Sequence, residues 1–217
     1  FPTIGIVLFT QPLLPAISAN LDGLPLERVA ARSGWAERVL QAVLRYDEFL
    51  ADCGRRLVVA AGPDRYTTRA KRLVLVGPPG WRPRDLSGDR TRSWVSPSCS
   101  PDGRWAVASA GRNWIERRFG LERRSIWRLS LDGHVRGRLT SPPRGATDEL
   151  PRFAGDDRSI LFVRTRFLRS SGPTELAARG QLFLWRDGRV EGPLADLGTT
   201  DNYYGRYGWA DQTDWHR

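Results

Sequence analysis

Segment 111–124 combines arginines with aromatic residues, and it is the part of the sequence best suited to binding an anion. A guanidinium group binds a carboxylate or phosphate through two parallel hydrogen bonds, and it also stacks on aromatic rings. A second long segment, 164–179, contributes further arginines. We therefore expect these two segments to bind an anionic ligand. The candidate ligand-binding residues are Arg112, Trp114, Arg117, Arg118, Arg123, Arg124, Arg164 and Arg166.

A structural interpretation of the same segment stands beside the functional one. Glu116 and Glu122 could pair with neighbouring arginines, and Trp114 and Phe119 could pack beneath the loop. In that case the arginines would neutralise local carboxylates and would hold no ligand. The sequence leaves both interpretations open.

Residues for catalysis or metal binding are sparse. A hydrolase triad needs a nucleophile, a base and a group that orients the base. The chain has two histidines, His134 in an Asp-Gly turn and His216 beside the last residue. It contains no Gly-x-Ser-x-Gly elbow, no phosphate-binding loop and no Cys/His cluster with zinc-ligand spacing. We therefore predict a non-enzymatic protein with no catalytic residue, metal or cofactor.

The charge balance suggests anionic partners in general terms. Lys and Arg number 34 against 24 Asp and Glu, which gives a net charge of +10. Lys71 is the single lysine, and so strong a preference for arginine is typical of a GC-rich bacterial genome. Nucleic acid is therefore a weaker candidate partner than a protein or a smaller anion. No apolar run reaches the roughly 18 residues of a membrane helix.

An internal repeat indicates the elements that position these side chains. Residues 97–109 and 151–163 share a proline, a strand end, an acidic turn, an arginine position and an apolar run, and they start 54 positions apart. A degraded copy occupies 51–61. A second phrase, strand, turn and strand ending in leucine, recurs at 72–86, 125–140 and 181–194, with Asp-Gly turns in the last two. Asp-Gly between apolar runs is a strong hairpin signal.

Two phrases with one period predict four strands per repeat, which is the unit of a β-propeller blade. We place the blades at about 36–90, 91–143 and 144–198, with a partial blade at 199–217. The fold class is therefore all-β: three full four-stranded blades and a partial one, either closing as a small ring or forming part of a six-bladed ring. Segment 1–35 is either part of another blade or the remnant of a signal peptide, and 25–50 can also be read with a helical period.

Residues 96–108, 126–133 and 138–140 resemble the repeat of TolB-like propellers, a WD-repeat-like family. In that family a Ser-Pro-Asp-Gly-Arg phrase joins the innermost strand to the second, and 100–104 carries it unchanged. Residues 154–158, Ala-Gly-Asp-Asp-Arg, depart from it. The resemblance covers about three quarters of the chain and implies a propeller with no fixed catalytic residues. It also implies docking on the face formed by the loops between second and third strands, together with the loops between blades.

This resemblance predicts a binding or scaffolding module for a protein or an anionic ligand. The alternatives are an accessory propeller domain of a peptidase or polysaccharide lyase, and an arginine-rich nucleic-acid binder. Adjacent blades would bring Cys53 near Cys99, so they form either a disulfide or two free thiols. A disulfide would favour a periplasmic, extracellular or cell-envelope location over the cytoplasm. The sequence does not define an oligomeric state.

Overall fold

Twelve β-strands make up the secondary structure of the residues described by the computed structural model. These residues are 50–61, 70–78, 82–112, 123–134, 136–168 and 177–200, without the side chains of residues 50 and 52. No helix occurs in these ranges. The strands form three separate four-stranded antiparallel sheets, each built from four strands consecutive in the chain.

The three sheets follow one another along the sequence. The first contains β1 (Leu50–Asp52), β2 (Leu57–Ala61), β3 (Arg72–Val76) and β4 (Arg84–Asp85). The second contains β5 (Arg92–Cys99), β6 (Trp105–Arg112), β7 (Ser125–Ser130) and β8 (Arg136–Arg138). The third contains β9 (Ala146–Phe153), β10 (Ile160–Phe167), β11 (Ala178–Arg186) and β12 (Arg189–Thr200).

Within each sheet the spatial order of the strands equals their order in the chain. The first strand of the second sheet, β5, contacts β1 on one side and β9 on the other. The first strands therefore lie together at the inside, and β4, β8 and β12 lie at the outer edges. This is the arrangement of propeller blades, and it confirms the predicted fold class for the described part of the chain.

Apolar side chains between the sheets form the core. Val58, Ala60, Leu73 and Leu75 of the first sheet join Trp94 in a buried cluster with further residues of the second. A second cluster spans the other interface, where Val107 and Ile126 of the second sheet meet aromatic side chains of the third. Both faces of the second sheet are therefore covered, with Trp94 buried in the cluster shared with the first sheet and with Val107 and Ile126 in the cluster shared with the third.

The repeat extends to an irregularity of the backbone. Ser96 and Leu150, each followed by a proline, have φ angles of 52° and 53°, and they lie 54 positions apart. The pairing of β5 with β6 and of β9 with β10 shifts register near these residues. A bulge of this kind bends a strand and increases its twist. The innermost strands of the second and third blades are therefore bent in the same place.

The acidic turns are closed as the sequence predicts. Gly103 and Gly133 have φ angles of 64° and 88°, and each donates its N–H to a carbonyl three residues earlier. Glycine adopts this left-handed region at little cost. The third copy, 154–158, places Gly155 at φ 78°, one residue ahead of Asp156. In this copy the glycine precedes the aspartate instead of following it, and the turn is still formed.

The predicted limits of the blades remain predictions at the two ends of the chain. The sheets span 50–85, 92–138 and 146–200, so β12 continues two residues past the predicted end of the third blade. The predicted segment 1–35, the start of the first blade and the partial blade beyond residue 200 lie outside the described residues. In the part that is described, no helix is long and apolar enough to cross a membrane.

Candidate functional site

The candidate arginines cluster where the second strand of a blade leads to the third. Arg112 ends β6, Arg123 and Arg124 immediately precede β7, and Arg164 and Arg166 lie near the end of β10. Both connections leave their sheets at the same edge, because second strands run in parallel from blade to blade. Trp114, Arg117 and Arg118 lie outside the described residues.

Arg112, Arg123 and Arg166 are exposed at this edge. Arg123 donates a hydrogen bond to the carbonyl of Pro142, which ties it to the segment leading to the third blade. Arg166 lies between Ala146 and Arg179 in the register of the third sheet. Exposed guanidinium groups on adjacent blades thus border the two long loops. We call this set, Arg112, Arg123 and Arg166, the loop-face arginines.

Arg124 has a different position, since its side chain is 3% exposed and lies between the second and third blades. Its Nη1 donates to Oε1 of Glu149 at 3.1 Å. The second oxygen of that carboxylate accepts a hydrogen bond from the hydroxyl of Thr165 at 3.3 Å. A buried ion pair of this kind needs such extra hydrogen bonds to offset the cost of removing both charges from water.

Arg164 forms a second ion pair beside the first. Its Nε and Nη2 donate to the two oxygens of Asp148 at 2.7 and 3.0 Å, and the Asp148 carboxylate is fully buried. The guanidinium also lies 4.8 Å from the ring centre of Phe183. This bidentate geometry matches the planar fork of arginine, which lysine could not reproduce. Arg164 is therefore occupied within the protein.

The main chain at Arg124 joins the two blades in a pattern that repeats. The N–H of Arg124 donates to the hydroxyl of Thr147 at 3.0 Å, and its carbonyl accepts from the N–H of Asp148 at 3.1 Å. The N–H of Lys71 likewise donates to the hydroxyl of Ser93 at 3.1 Å, and its carbonyl accepts from Trp94 at 3.0 Å. We call this double exchange the inter-blade clamp.

Sequence analysis missed the clamp, although a signal for it exists. Lys71 and Arg124 are 53 positions apart, and the hydroxyl residues Ser93 and Thr147 are 54 apart, in step with the repeat. Both cations are almost fully buried. A cation at the same point of two repeats, with a hydroxyl residue 22 or 23 positions later, would have indicated the contact. Charge alone assigned Arg124 to the surface.

The acidic residues of the turns are committed to local hydrogen bonds. Asp102 accepts from the Ser100 hydroxyl at 2.6 Å and from the N–H of Arg104 at 2.9 Å. The Ser100 hydroxyl is the largest cause that lowers the pKa of Asp102 below its ordinary value. The N–H of His134 similarly lowers the pKa of Asp132. These carboxylates stabilise turns as anions, which fits the sequence interpretation of the turn motif.

Cys53 and Cys99 lie together at the turn side of the first two blades. They are joined as a disulfide with Cα atoms 5.3 Å apart, within the range for such bonds. Beside them the Arg56 guanidinium donates to the carbonyl of Gly103 at 2.7 Å. A Cβ added at Gly103 would lie 3.2 Å from the carbonyl oxygen of Cys53. The blades are therefore tightly packed at this edge.

No group of three or more potential metal ligands occurs among the residues that the structure describes. The sheets, their order and their packing define the class of the protein, which is a β-propeller module built from four-stranded blades. Among the described residues, Asp102 and Asp132 close turns, and Glu149 and Asp148 hold Arg124 and Arg164.

Comparisons with known proteins found structural similarity at low identity. No protein-family model matches the chain, and no curated protein is similar to it in sequence. A solved structure described as TolB from Agrobacterium tumefaciens is 17% identical, with a TM-score of 0.49, over 68% of this chain and 48% of that one. A puromycin-hydrolysing peptidase of Mycobacterium tuberculosis is 14% identical, with a TM-score of 0.37, over 67% and 28%.

The chain thus spans about half the length of the first of these structures and less than a third of the second. Both TM-scores lie below 0.5, so neither structure bears on the function of this chain.

Proposed function

We propose that this protein is a non-enzymatic binding or scaffolding module whose loop face holds an anionic ligand or an acidic part of a protein. The observation that supports this most is that some arginines are paired with buried carboxylates and others are exposed. Arg124 and Arg164 are held by Glu149 and Asp148, whereas the loop-face arginines are exposed beside the long connections. The blades supply a frame, and the connections between their strands supply the contacts.

The proposed set of ligand-binding residues is smaller than the set that the sequence alone suggests. Arg112, Arg123 and Arg166 are accessible to solvent, and a guanidinium group in that position can form charge-assisted hydrogen bonds with carboxylate or phosphate. Arg124 is left out because its guanidinium is buried against Glu149. Trp114, Arg117 and Arg118, which lie outside the described residues, complete the proposal on sequence grounds.

The cysteine pair supports a location in an oxidising compartment. Disulfides persist in periplasmic and extracellular proteins and are rare in the cytoplasm. The contact between Cys53 and Cys99 also joins two different blades, so the bond would stabilise the packing of one blade on the next. We propose an envelope or extracellular protein on this basis.

The test of the loop face uses two matched triple variants. The first reverses the loop-face arginines, as Arg112→Glu, Arg123→Glu and Arg166→Glu. The control makes the same change in charge elsewhere, as Arg55→Glu, Arg158→Glu and Arg189→Glu, three exposed positions outside the loop face. Citrate and tripolyphosphate serve as carboxylate and phosphate probes in calorimetric titrations.

We expect the wild-type protein and the control to bind one of the probes with similar affinity. The loop-face variant should bind it about tenfold more weakly, because three exposed ion pairs at roughly 0.5 kcal/mol each amount to about that factor. Equal affinity of all three proteins, or equal weakening of both variants, would contradict the assignment of the ligand to this face.

A further inference from the structure

Two arginines reach across the outer rim between the first and second blades and close it. Arg84 on β4 donates to the carbonyls of Leu131 and Asp132 in the second blade. Arg136 on β8 donates in the opposite direction, to the carbonyl of Ser87, which follows β4. The outer edges of these two blades are therefore tied together from both sides.

The second blade has no side chain at the position equivalent to Arg84. Arg84 is the outermost member of a row of paired residues that starts at Val58, four residues after the turn glycine of its blade. The same row in the second blade starts at Val107, four residues after Gly103, and it ends at Gly137. A Cβ added to Gly137 would meet no atom within 4 Å. The rim between the second and third blades is therefore open at this point.

The third blade has a valine at the position equivalent to Arg136. Arg136 ends a row of paired residues that starts at Ala106. The equivalent row starts at Ile160, 54 positions later, and ends at Val190. A valine side chain has no hydrogen-bond donor, so it cannot make the bond that Arg136 makes. Val190 is instead 40% exposed. The rim between the second and third blades thus lacks both bridging groups.

Aromatic side chains and one arginine line this open rim. Trp105 and Trp185 are partly buried and pack on the same apolar cluster, which the second and third blades share. Arg128, the partner of Gly137 in the register, lies over the Trp105 ring, with 4.0 Å between the guanidinium carbon and the ring centre. Apolar surface and a cation are therefore adjacent. We call this set, Trp105, Arg128, Gly137, Trp185 and Val190, the outer notch.

Arg128 has no carboxylate partner in the part of the chain that the structure describes. Its Nη2 donates to the main-chain carbonyl of Asp157 at 3.2 Å, and its buried Nε has no hydrogen-bond partner among these residues. The nearby Asp102 is paired with Arg104. Burial of the guanidinium lowers the pKa of Arg128, and the carboxylates of Asp102 and Asp157 offset this effect only in part. A further negative charge in the outer notch would therefore be stabilising.

The outer notch and the loop face lie at opposite ends of the blades. Val190 follows the Asp-Gly turn of the third blade. Near the other end of β12, Thr199 pairs with Arg179, and Arg179 pairs with the loop-face residue Arg166. The nine positions from Val190 to Thr199 span roughly 25 Å at a rise of about 3.3 Å per residue, allowing for the bulge between them. The two surfaces are therefore separate.

We propose that the outer notch binds an extended segment of a partner protein that carries an apolar side chain beside a carboxylate. The apolar side chain packs on Val190 and Trp185 in the space next to Gly137, and the carboxylate pairs with Arg128. A protein segment suits this site better than a small free ligand, because small-molecule sites enclose most of their ligand and Val190 lies at an open rim. A second copy of this chain is less favoured, since a two-fold contact would bring two copies of Arg128 together.

The experiment introduces the arginine pair of the first rim at the second rim. The closed-rim variant is Gly137→Arg, Val190→Arg, whose long side chains fill the outer notch. The control is Ala195→Arg, Thr199→Arg, which adds the same charge at two exposed positions of β12 outside the notch. Because both variants gain two positive charges, a difference between them reports the filling of the notch.

The probe is a fluorescent peptide, Ser-Glu-Leu-Leu-Glu-Ser, whose binding is followed by fluorescence anisotropy. One comparison peptide has serine in place of both leucines, and the other has lysine in place of both glutamates. We expect wild type and the control to bind the probe with affinities within about threefold of each other. The closed-rim variant should bind it at least about tenfold more weakly, because the leucine side chain can no longer be buried. Both comparison peptides should bind wild type more weakly than the probe does.

Circular dichroism verifies the fold of each variant. Should the double variant fail to fold, Gly137→Arg alone, at a position with open space for a side chain, should weaken binding of the probe at least about threefold. Absence of binding by wild type, or equal affinities of the closed-rim variant and the control, would overturn the proposal.

Two further outcomes would assign the outer notch to another occupant and overturn the protein partner. One is a dimer of wild type in sedimentation velocity that the closed-rim variant does not form. The other is displacement of the peptide by an equal concentration of decanoate, a free amphiphile with a carboxylate. Neither outcome bears on the loop-face proposal, because that test measures citrate and tripolyphosphate in variants of residues 112, 123 and 166.

Discussion

Replacing Glu149 with alanine would leave the Arg124 guanidinium buried between two blades without its carboxylate. The arginine side chain is 3% exposed and that of Glu149 is 10% exposed, so water cannot readily take the place of the lost partner. Thr165 would also lose an acceptor for its hydroxyl. Breaking a buried pair by removing one partner typically costs about 3–5 kcal/mol, and we expect a loss of stability in that range.

Urea denaturation followed by tryptophan fluorescence measures this loss. With a slope of about 2 kcal/mol per molar urea, the midpoint should fall by roughly 1.5–2.5 M. The matched control is Asp196→Ala, which removes the partner of Arg179 in a pair whose side chains are 54% and 40% exposed. An exposed pair contributes about 0–1 kcal/mol, so the control midpoint should shift by less than about 0.5 M.

The double variant Arg124→Met, Glu149→Leu separates the ion pair from simple loss of volume. Replacing both charges with apolar groups of similar size is often neutral or stabilising, so this protein should be more stable than Glu149→Ala alone. If Glu149→Ala unfolds at nearly the same urea concentration as Asp196→Ala, Arg124 does not depend on Glu149, and the account of the buried pair is refuted.

Three further predictions concern the turns and the disulfide. Mass spectrometry should show that a thiol reagent labels Cys53 and Cys99 only after the native protein has been reduced. The Cys53→Ser, Cys99→Ser variant should lose about 2–4 kcal/mol in its free energy of unfolding. Rapid labelling without reductant would contradict the disulfide. The lowered pKa values of Asp102 and Asp132 mean that both carboxylates stabilise the fold at pH values above the ordinary carboxyl range. This stabilisation is lost as the pH falls below about 4. The thermal midpoint of the Asp102→Asn, Asp132→Asn variant should therefore fall less between about pH 5 and about pH 3 than that of wild type. Gly103→Ala should cost about 1–2 kcal/mol through its positive φ, plus the close approach to Cys53, whereas Gly145→Ala, with φ 78° and open space, should show the backbone cost alone.

The architecture could be predicted from the sequence because its signals are local and recur. The Asp-Gly turns, the proline before each acidic turn and the constant period all act within a few residues, where turn chemistry is decisive. Gly103 and Gly133 adopt the positive φ angles that this chemistry requires. The placement of Cys53 in a turn of the first blade and Cys99 at the end of β5 also follows from the repeat.

The roles of individual arginines could not be predicted in the same way. Arg123 and Arg124 are adjacent in the sequence, yet one is exposed and the other is buried against Glu149. Which of them turns inward depends on the packing of the next blade, since the partner is 25 positions away. Arg164 is likewise defined by Asp148, across the β9–β10 pair. Composition reveals a basic segment but not which cations are already paired.

The central claim is that successive four-stranded blades pack through the inter-blade clamp, and trans-hydrogen-bond couplings test it most directly. A long-range HNCO experiment on labelled protein should correlate the Trp94 nitrogen with the Lys71 carbonyl carbon, and the Asp148 nitrogen with that of Arg124. Both amides should also exchange slowly with solvent. Fast exchange of these amides, or correlations with carbonyls of other residues, would contradict the arrangement of the blades.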